Sequence, residues 1–302
     1  AEPVQMVVKE TRWGPIVDTD HHGQPRAWRW VAHEPEALNL SGFWQLEKAQ
    51  RVSTAIAIAQ QTGMPGQNFV VGDQYGDIAW TIIGRIPKRS EGFDGRIPRD
   101  WSQGDIQWQG WVESQDYPLV VNPTLDRIWT ANARVAATED LVTIGDGGYA
   151  LGARAGQIRD RLMALTQADE QAMLAIQLDD EALFLQRWRR VLLSILNADA
   201  IAGSEARQQL RDAVLNWAGR AAADDAGYRL VREYRDQLRR LVMHGLTAHC
   251  PAPMDDEGKR RDFTGSWQAE SPLWKLITQR PQHLLPAGFD DWNSVMLTAL
   301  DQ

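Results

Sequence analysis

The sequence contains a single cysteine in 302 residues, Cys250, so no disulfide bond can form within the chain. It has no uninterrupted run of about 18 apolar residues, which is the length that a membrane-spanning helix needs. Lysine and arginine total 32 against 40 aspartates and glutamates, a net charge of −8. Binding to a phosphate backbone requires clustered cations. We therefore expect no membrane span and no nucleic-acid partner. The opening AEPVQMVVKE also lacks the basic start and apolar run of a signal peptide.

The sequence does contain enough apolar residues, 43%, to bury a core, and the pattern of these residues changes near residue 135. Short β-like runs alternate with turn signals before that point, and helical spacing dominates after about residue 150. We predict an α+β protein with a β-rich part over residues 1–135 and a mostly helical part over residues 136–302.

Several elements are specific enough to locate. The turn sequence GDQYGD, 72–77, predicts a hairpin between strands at 68–71 and 78–83. A strand is predicted at 128–130, and one helix is predicted from an N-cap at Ser41 to Gly63. In the second part, Ser204 or a neighbour is predicted to cap a helix, and the longest helix is predicted over 228–246.

Two clusters of polar residues have both a functional and a structural interpretation. Asp18, Asp20, His21 and His22 could bind a metal, but adjacent side chains diverge on an extended backbone, which favours a solvated turn. Cys250 follows His249 directly and lies near His244. Adjacent residues have poor geometry for a catalytic dyad, so a cysteine at a helix end is the favoured interpretation.

Two further segments each have two interpretations that the sequence pattern alone does not decide between. The glycine-rich segment 145–154 precedes a helix and could cradle an anion, but it lacks the P-loop and dinucleotide spacings, which favours a helix-entry loop. Fourteen tryptophans are unusual, and Trp101, Trp108 and Trp111 could form a sugar platform or fill a core. The spacing of the residues does not by itself define a complete set of catalytic side chains.

Four segments in order resemble the penicillin acylase family of N-terminal-nucleophile hydrolases. They read ETRWGPIVD (10–18), a long block that ends GQNFVVGDQYGDIAWTIIGRIPKR (26–89), QGWVESQDYPLVVNPTLDRIWTANARV (109–135) and GARAGQIRDRL (152–162). The resemblance covers residues 1–180. It implies an αββα core in which residues 1–135 form the β-rich part.

The resemblance also implies an amidohydrolase. In this family an N-terminal serine, exposed by autoproteolysis, attacks an amide carbonyl with its own α-amine as the base. Candidate substrates are β-lactams, N-acyl-homoserine lactones and other N-acyl amines, which would connect the protein with antibiotic biosynthesis. The implied location is periplasmic or secreted, and the implied partners are a small N-acyl substrate and the remaining segments of the precursor.

The sequence departs from the family pattern at both ends. Residue 1 is alanine, which has no hydroxyl or thiol, and the family order places the nucleophile upstream of residue 10 and further strands beyond LTALDQ. We therefore expect an internal fragment of the family's β chain that is inactive alone. Exposed sheet edges in such a fragment would promote self-association.

The resemblance places the oxyanion-binding amide in the segment Ala131–Asn132–Ala133–Arg134, where Arg134 occupies the usual position of the amide and Asn132 is the nearest alternative. Arg154 matches the arginine that lies near the family's active site. Pro98 and one of Asp140 or Asp146 are compatible in position with part of the family's calcium site, and we expect no other cofactor.

A second hypothesis is a non-catalytic, tryptophan-rich module that binds a ligand or carbohydrate. It rests on the tryptophan content and on the absence of a complete catalytic set.

Overall fold

The fold is described from a computed structural model, which covers residues 7–20, 22–145, 147–250 and 267–302. The chain divides into two compact units, Ala1–Ala155 and Gly156–Gln302. The first unit carries all eight strands of the described residues and the second is helical, which confirms the α+β prediction. The predicted boundary at residue 135 marks a change in composition and stays a prediction.

The described residues of the first unit form eight short strands and three helices, and a fourth helix begins at its end. In chain order they are β1 (Glu10–Thr11), β2 (Gly14–Thr19), β3 (Pro25–Ala27), α1 (Ser41–Leu46), α2 (Val52–Gln61), β4 (Gln67–Gly72), β5 (Ile78–Ile83), β6 (Pro87–Arg89), β7 (Trp108–Trp111), β8 (Leu119–Val121) and α3 (Thr138–Ile144). The strands form three antiparallel sheets in the orders β1-β2-β3, β4-β5-β8 and β6-β7. Short 3₁₀ turns occupy Val31–His33, Pro35–Ala37 and Ser114–Asp116.

The β4-β5-β8 sheet separates two apolar layers because alternate strand residues point to opposite faces. On one face Ala79 packs with Val52 and Ile56 of α2. On the other face Trp80 and Ile82 pack with Ile86 and Tyr117, and partly buried side chains such as Val135 and Ile144 surround them. The predicted hairpin is confirmed, since β4 and β5 pair from Gln67↔Ile83 to Gly72↔Ile78.

The predicted single helix over 41–63 is wrong, because the structure has two helices with a break between them. Ser41 is the first helical residue of α1 rather than its cap. Arg51 is extended, with φ −131°, so the chain leaves the helical conformation before α2. The carboxylate of Asp73 then accepts a hydrogen bond from the backbone N–H of Val52 at 3.1 Å, which satisfies one of the free donors at the new helix start.

The second unit is built from helices around one core. It contains α4 (Ala153–Ala164, which begins in the first unit), α5 (Glu170–Gln177), α6 (Leu185–Ile195), α7 (Ala198–Ile201), α8 (Glu205–Asn216), α9 (Ala226–Thr247), α10 (Glu270–Gln279) and α11 (Trp292–Asp301). Two 3₁₀ turns lie at Trp267–Ala269 and Gln282–Leu284. The predicted long helix is confirmed as α9, and Ser204 caps α8 by accepting from the N–H of Arg207.

The core of the second unit contains a buried carboxylate. Glu270 is buried beside Trp188, whose indole Nε1 donates to Glu270 Oε1 at 2.9 Å. Arg235 donates to Oε2 through Nε at 2.9 Å and Nη2 at 2.6 Å, and Arg187 also pairs with the carboxylate. Arg235 also pairs with Asp236 at 2.7 Å, so two carboxylates compensate two partly buried cations. No helix in the described ranges is long and apolar enough to cross a membrane.

We expect Glu270→Gln to destabilise the second unit by about 3 kcal/mol, because it leaves Arg187 without its carboxylate partner and Arg235 with Asp236 alone. Urea unfolding followed by tryptophan fluorescence measures the change. Glu233→Gln is the matched control, since Glu233 and Arg240 are half exposed and 3.5 Å apart, and it should cost less than about 1 kcal/mol. Equal effects of the two substitutions would contradict this account of the core.

The β8 strand has an open outer edge in the described residues. Asn122 N–H donates to Ile78 O at 2.9 Å, which makes this a hydrogen-bonded pair. Because hydrogen-bonded and non-hydrogen-bonded pairs alternate along an antiparallel ladder, Leu119 and Val121 direct their backbone groups away from β5. Both side chains are 47% exposed. This edge offers backbone donors, acceptors and apolar surface to another strand.

We propose that the isolated 302-residue chain self-associates through this edge. A lysine there opposes edge-to-edge pairing, so Val121→Lys should raise the concentration at which association appears in light scattering. Val142→Lys is the control, because Val142 is 77% exposed but lies on α3 rather than on a sheet edge. Unchanged association in Val121→Lys would show that the edge is not the contact.

Candidate functional site

The first unit contains a pocket of about 350 Å³ between the β4-β5-β8 sheet and the loops that follow it. We call it the Asn132 pocket after one of the residues in its wall. Its apolar wall includes Ile82, Ile86, Val135 and Ile144. Its polar wall consists of the following side chains: Gln67, Asn68, Arg85, Arg89, Asn132 and Tyr149.

Asn132 is held in an unusual backbone conformation. Its φ is +58°, the left-handed region that asparagine tolerates better than most residues. The carbonyl of Asn132 accepts from the N–H of Ala150 at 2.9 Å, and Ala133 forms a bridge with Ala150. Residues 128–130 are not a strand, so the prediction that a strand supports Asn132 is wrong. The support comes from this bridge instead.

The amide of Asn132 is oriented by Arg154. Nη2 of Arg154 donates to Asn132 Oδ1 at 3.1 Å and to the backbone carbonyl of Ala131 at 3.2 Å. Since a guanidinium only donates, the amide oxygen must face it and the Nδ2 group must point away. Nδ2 donates to no other group in the part of the chain that the structure describes. It is therefore a donor that is available to a bound molecule.

Arg154 lies in the first turn of α4, where the helix dipole disfavours a cation. Its two hydrogen bonds to the Asn132 segment offset that cost. The structure thus brings together two of the three predicted site residues, Asn132 and Arg154. The third, Arg134, is exposed on the same loop and is not part of the pocket wall.

A buried tyrosine fixes the chain beside the pocket. The hydroxyl of Tyr117 donates to Gly84 O at 2.8 Å and accepts from the N–H of Ile86 at 3.2 Å. Burial raises the pKa of Tyr117, which keeps the hydroxyl protonated and able to donate at neutral pH. Gly84 has φ +107°, and a Cβ there would lie 2.4 Å from the carbonyl of Met64, so this position requires glycine.

Arg89 has a structural role. Its Nη1 donates to Thr143 O at 2.9 Å and its Nη2 to Ile144 O at 3.3 Å, which caps the C-terminus of α3. Burial lowers the pKa of Arg89, although a guanidinium stays charged near neutral pH. Its donors therefore hold the loop that carries Tyr149, whose hydroxyl donates to Gly145 O at 2.7 Å.

The residues predicted for calcium do not form a complete site. Pro98 and Asp140 are both exposed, and Asp146 lies outside the described residues. Pro98 offers only a carbonyl and Asp140 one carboxylate, whereas calcium takes six to eight oxygen ligands. In the described part of the chain no three His, Cys, Asp or Glu side chains are grouped to hold a metal. Calcium binding stays a prediction that needs other ligands.

The two polar clusters singled out in the sequence are the turn over residues 18–22 and the segment around Cys250. Asp20 accepts from the backbone N–H groups of His22 and Gln24, both at 2.8 Å, as in an Asx turn. Asp18 forms an ion pair with Arg26. His21 lies outside the described residues. Cys250 is exposed.

The tryptophan rings pack against each other. Trp108 lies 6.4 Å from both Trp101 and Trp111, with tilts of 56° and 54°, and the guanidinium of Arg29 sits 4.8 Å from the Trp108 ring. This is a tilted stack with a cation rather than one flat platform. The binding-module hypothesis stays untested.

Sequence reasoning missed several residues of the pocket wall. Arg85 and Arg89 stand in the GRIPKR sequence that carries part of the resemblance, but no spacing rule assigned them to a site. The wall also includes Gly147, Gly148 and Tyr149. These residues belong to the glycine-rich segment for which the sequence allows either an anion-binding loop or a helix-entry loop. Their presence beside Asn132 is a tertiary feature that no local pattern displays.

Comparison with known proteins identifies the class. The penicillin amidase family model matches residues 1–302, and the chain belongs to that family. The chain is 28% identical over 309 residues to the penicillin acylase 2 proenzyme of Pseudomonas sp. (strain SE83), covering 94% of this chain and 39% of the proenzyme. It is 26% identical over 198 residues to the acyl-homoserine lactone acylase QuiP of Pseudomonas aeruginosa, covering 61% and 23%.

A solved structure shows the same fold. The thermostable penicillin G acylase from Alcaligenes faecalis superposes with a TM-score of 0.65 at 17% identity, covering 98% of this chain and 56% of that chain. The chain therefore spans about two fifths of the Pseudomonas proenzyme and just over half of the Alcaligenes chain. Membership of the family and the fold are established by these findings.

The conformation of Asn132 predicts an unusual order of stabilities. Both Asn132→Ala and Asn132→Gly remove the bond to Arg154, but alanine pays about 1 kcal/mol or more for a left-handed backbone that glycine adopts freely. We expect the glycine variant to be the more stable in urea unfolding. Gln209 in α8 is the control, since in a helix glycine should be less stable than alanine by about 1 kcal/mol. The same order at both positions would contradict the left-handed assignment.

Proposed function

We propose that this chain is part of an amidohydrolase that cleaves the amide of an N-acyl compound and releases a carboxylic acid and an amine. The observation that carries the proposal is the Asn132 amide, whose Nδ2 donor is turned away from Arg154 at the wall of a pocket. Membership of the penicillin amidase family supports it. So do the names of two relatives, which are acylases of penicillin and of acyl-homoserine lactones.

The proposed reaction uses an N-terminal serine on a segment of the same protein outside these 302 residues, exposed by autoproteolysis. A free α-amine has a pKa of about 8, so part of it is unprotonated near neutral pH and can accept the serine proton. The serine oxygen attacks the carbonyl carbon, and the carbonyl oxygen gains negative charge. The amine then leaves with a proton, and water hydrolyses the resulting ester to the acid.

The role of this chain in that reaction is to stabilise the oxyanion. Nδ2 of Asn132 is a neutral donor whose orientation is set before the substrate arrives, which is what electrostatic preorganisation requires. Arg154 is a positioning residue, because its donors are directed to Ala131 O and Asn132 Oδ1 rather than to the pocket. Arg134 lies on the same loop but not in the wall, so Asn132 is the favoured oxyanion donor of the two.

We expect Asn132→Gly in the full-length protein to lower kcat by about 10²- to 10³-fold, the usual effect of removing one oxyanion donor. Glycine is preferred to alanine because it keeps the left-handed turn without strain. Arg134→Ala, measured in parallel, should retain turnover within a few-fold. Hydrolysis of a chromogenic N-acyl anilide measures both rates, and mass spectrometry of the product shows whether processing occurs.

Two outcomes would count against this function. A fully active protein in which no chain begins with Ser, Thr or Cys would exclude the N-terminal nucleophile. Normal processing with unchanged turnover in Asn132→Gly would exclude the oxyanion role of Asn132. Loss of processing with intact folding would instead assign Asn132 to the autocleavage step. The predicted periplasmic or secreted location stays a prediction.

A further inference from the structure

The glycine-rich segment that follows α3 holds Asn132 at two points. The backbone N–H of Ala150 donates to the carbonyl of Asn132 at 2.9 Å, and Ala150 also forms a bridge with Ala133. Arg154, four residues further on, bonds the side-chain amide of Asn132 at 3.1 Å. The left-handed backbone of Asn132 costs free energy, which such contacts offset. Whatever fixes Ala150 therefore also fixes the proposed oxyanion donor.

Tyr149 precedes Ala150 and ties this segment to the end of α3. Its hydroxyl donates to the carbonyl of Gly145 at 2.7 Å, and the residue is partly buried in the wall of the Asn132 pocket. Gly145 ends α3 with φ +104°, and its N–H donates to Leu141 O at 2.8 Å. The hydroxyl bond therefore joins the residue before Ala150 to the C-terminus of a helix.

Arg89 anchors the same helix end to the strand β6. Arg89 is the last residue of that strand, and its guanidinium donates to Thr143 O at 2.9 Å and to Ile144 O at 3.3 Å. A cation is favourable there because the last carbonyl groups of a helix carry partial negative charge. A Cβ on Gly145 would lie only 3.1 Å from Nη2 of Arg89, so the guanidinium packs directly against this residue.

These contacts form one continuous path from β6 to the proposed oxyanion donor. The path runs from Arg89 to the last carbonyl groups of α3, then through Gly145 and Tyr149 to Ala150 and Asn132. Each step is a hydrogen bond or a neighbour along the chain. A hydroxyl has one proton, so Tyr149 cannot also donate to a bound molecule. Its hydroxyl therefore acts on the site through Asn132.

We propose that Tyr149 and Arg89 are positioning residues that hold Asn132 where its amide meets the developing oxyanion. This inference rests on the proposed function and assigns the residues that set the place of its donor. A donor is effective only within about 3 Å of the oxyanion, so a small displacement lowers kcat without removing the donor. An interaction made only in the transition state contributes little to KM.

The first test is Tyr149→Phe in the full-length protein, because phenylalanine keeps the ring and removes only the hydroxyl. Hydrolysis of a chromogenic N-acyl anilide should show a kcat about 5- to 10-fold lower and a KM within about two-fold of the wild type. Tyr75→Phe is the matched control. Tyr75 is 57% exposed between β4 and β5, outside the pocket wall, so its loss of a hydroxyl should change neither constant.

The second test concerns the anchor at Arg89. Arg89→Gln should lower kcat about 10- to 100-fold, because it frees the end of α3 from β6. Arg89→Lys should restore part of the rate, since lysine keeps the charge but lacks the fork that reaches two carbonyl groups. Arg240→Gln is the control, because Arg240 is an exposed arginine of α9. Tyr149→Phe carries the test if Arg89→Gln fails to fold.

A double-mutant cycle distinguishes positioning from a general loss of structure. If Tyr149 acts through Asn132, Tyr149→Phe should lower kcat by less than about two-fold in the Asn132→Gly background, because no amide remains to be displaced. A residue that only stabilises the fold would give the same fold-change in both backgrounds. Equal fold-changes would therefore overturn the inference, as would an unchanged kcat in Tyr149→Phe alone.

Hydrogen exchange separates failure of this inference from failure of the proposed function. The amide of Ala150 is protected by its bond to Asn132 O, and Tyr149→Phe should speed its exchange about 10-fold, as measured by fragmentation mass spectrometry on the full-length protein. Tyr75→Phe should leave that rate unchanged. Faster exchange would support the tether even if the wild type cleaved no anilide, an outcome that would instead reject the proposed function. Unchanged exchange at Ala150 in Tyr149→Phe would overturn the inference.

Discussion

The candidate site depends on one interaction, the pair of hydrogen bonds from Nη2 of Arg154 to Ala131 O and Asn132 Oδ1. An asparagine side chain can present either its oxygen or its nitrogen, and the two choices have opposite chemistry. A guanidinium on one side leaves only one choice. The left-handed backbone at Asn132 and the bridge between Ala133 and Ala150 place the residue where Arg154 reaches it.

The same logic operates at Asn68, where the indole of Trp80 takes the place of Arg154. In both cases a group that can only donate fixes an amide so that its own donors remain available. These two amides and Arg85 give the pocket wall hydrogen-bond donors, which favour a bound atom that carries negative charge. Such a wall is useful in catalysis because its dipoles are oriented before charge develops and need not reorganise during the reaction.

Much of the fold follows from local signals. The GDQYGD turn locates the β4–β5 hairpin, Ser204 caps α8, and the amphipathic spacing of 228–246 locates α9 within a few residues at each end. The failures have physical causes. Asp73, 21 residues away, caps α2 at Val52 and divides one predicted helix into two. β8 has three residues, which is too short for periodicity to distinguish.

The candidate site was only partly predictable. Asn132, Arg134 and Arg154 came from the resemblance rather than from spacing, and sequence alone did not decide between the first two. The contact with Arg154, 22 residues along the chain, distinguishes Asn132 from its neighbour. Arg85 was not predicted, because the property that distinguishes it is a buried Nε atom without a hydrogen-bond partner among the described residues. That property appears only when the surroundings of a side chain are known in three dimensions.

The buried charges of the two units differ in how they are compensated. Arg187 and Arg235 converge on Glu270, and Asp236 pairs with Arg235, so the charges of this cluster are compensated within the unit. The backbone N–H of Arg85 donates to Met64 O and Tyr117 holds the neighbouring Gly84 and Ile86, but the Arg85 side chain forms no ion pair with the described residues. A partly buried cation without a counter-charge destabilises the free protein, and an anion that binds beside it offsets that cost, because the cation is already partly desolvated before the anion arrives.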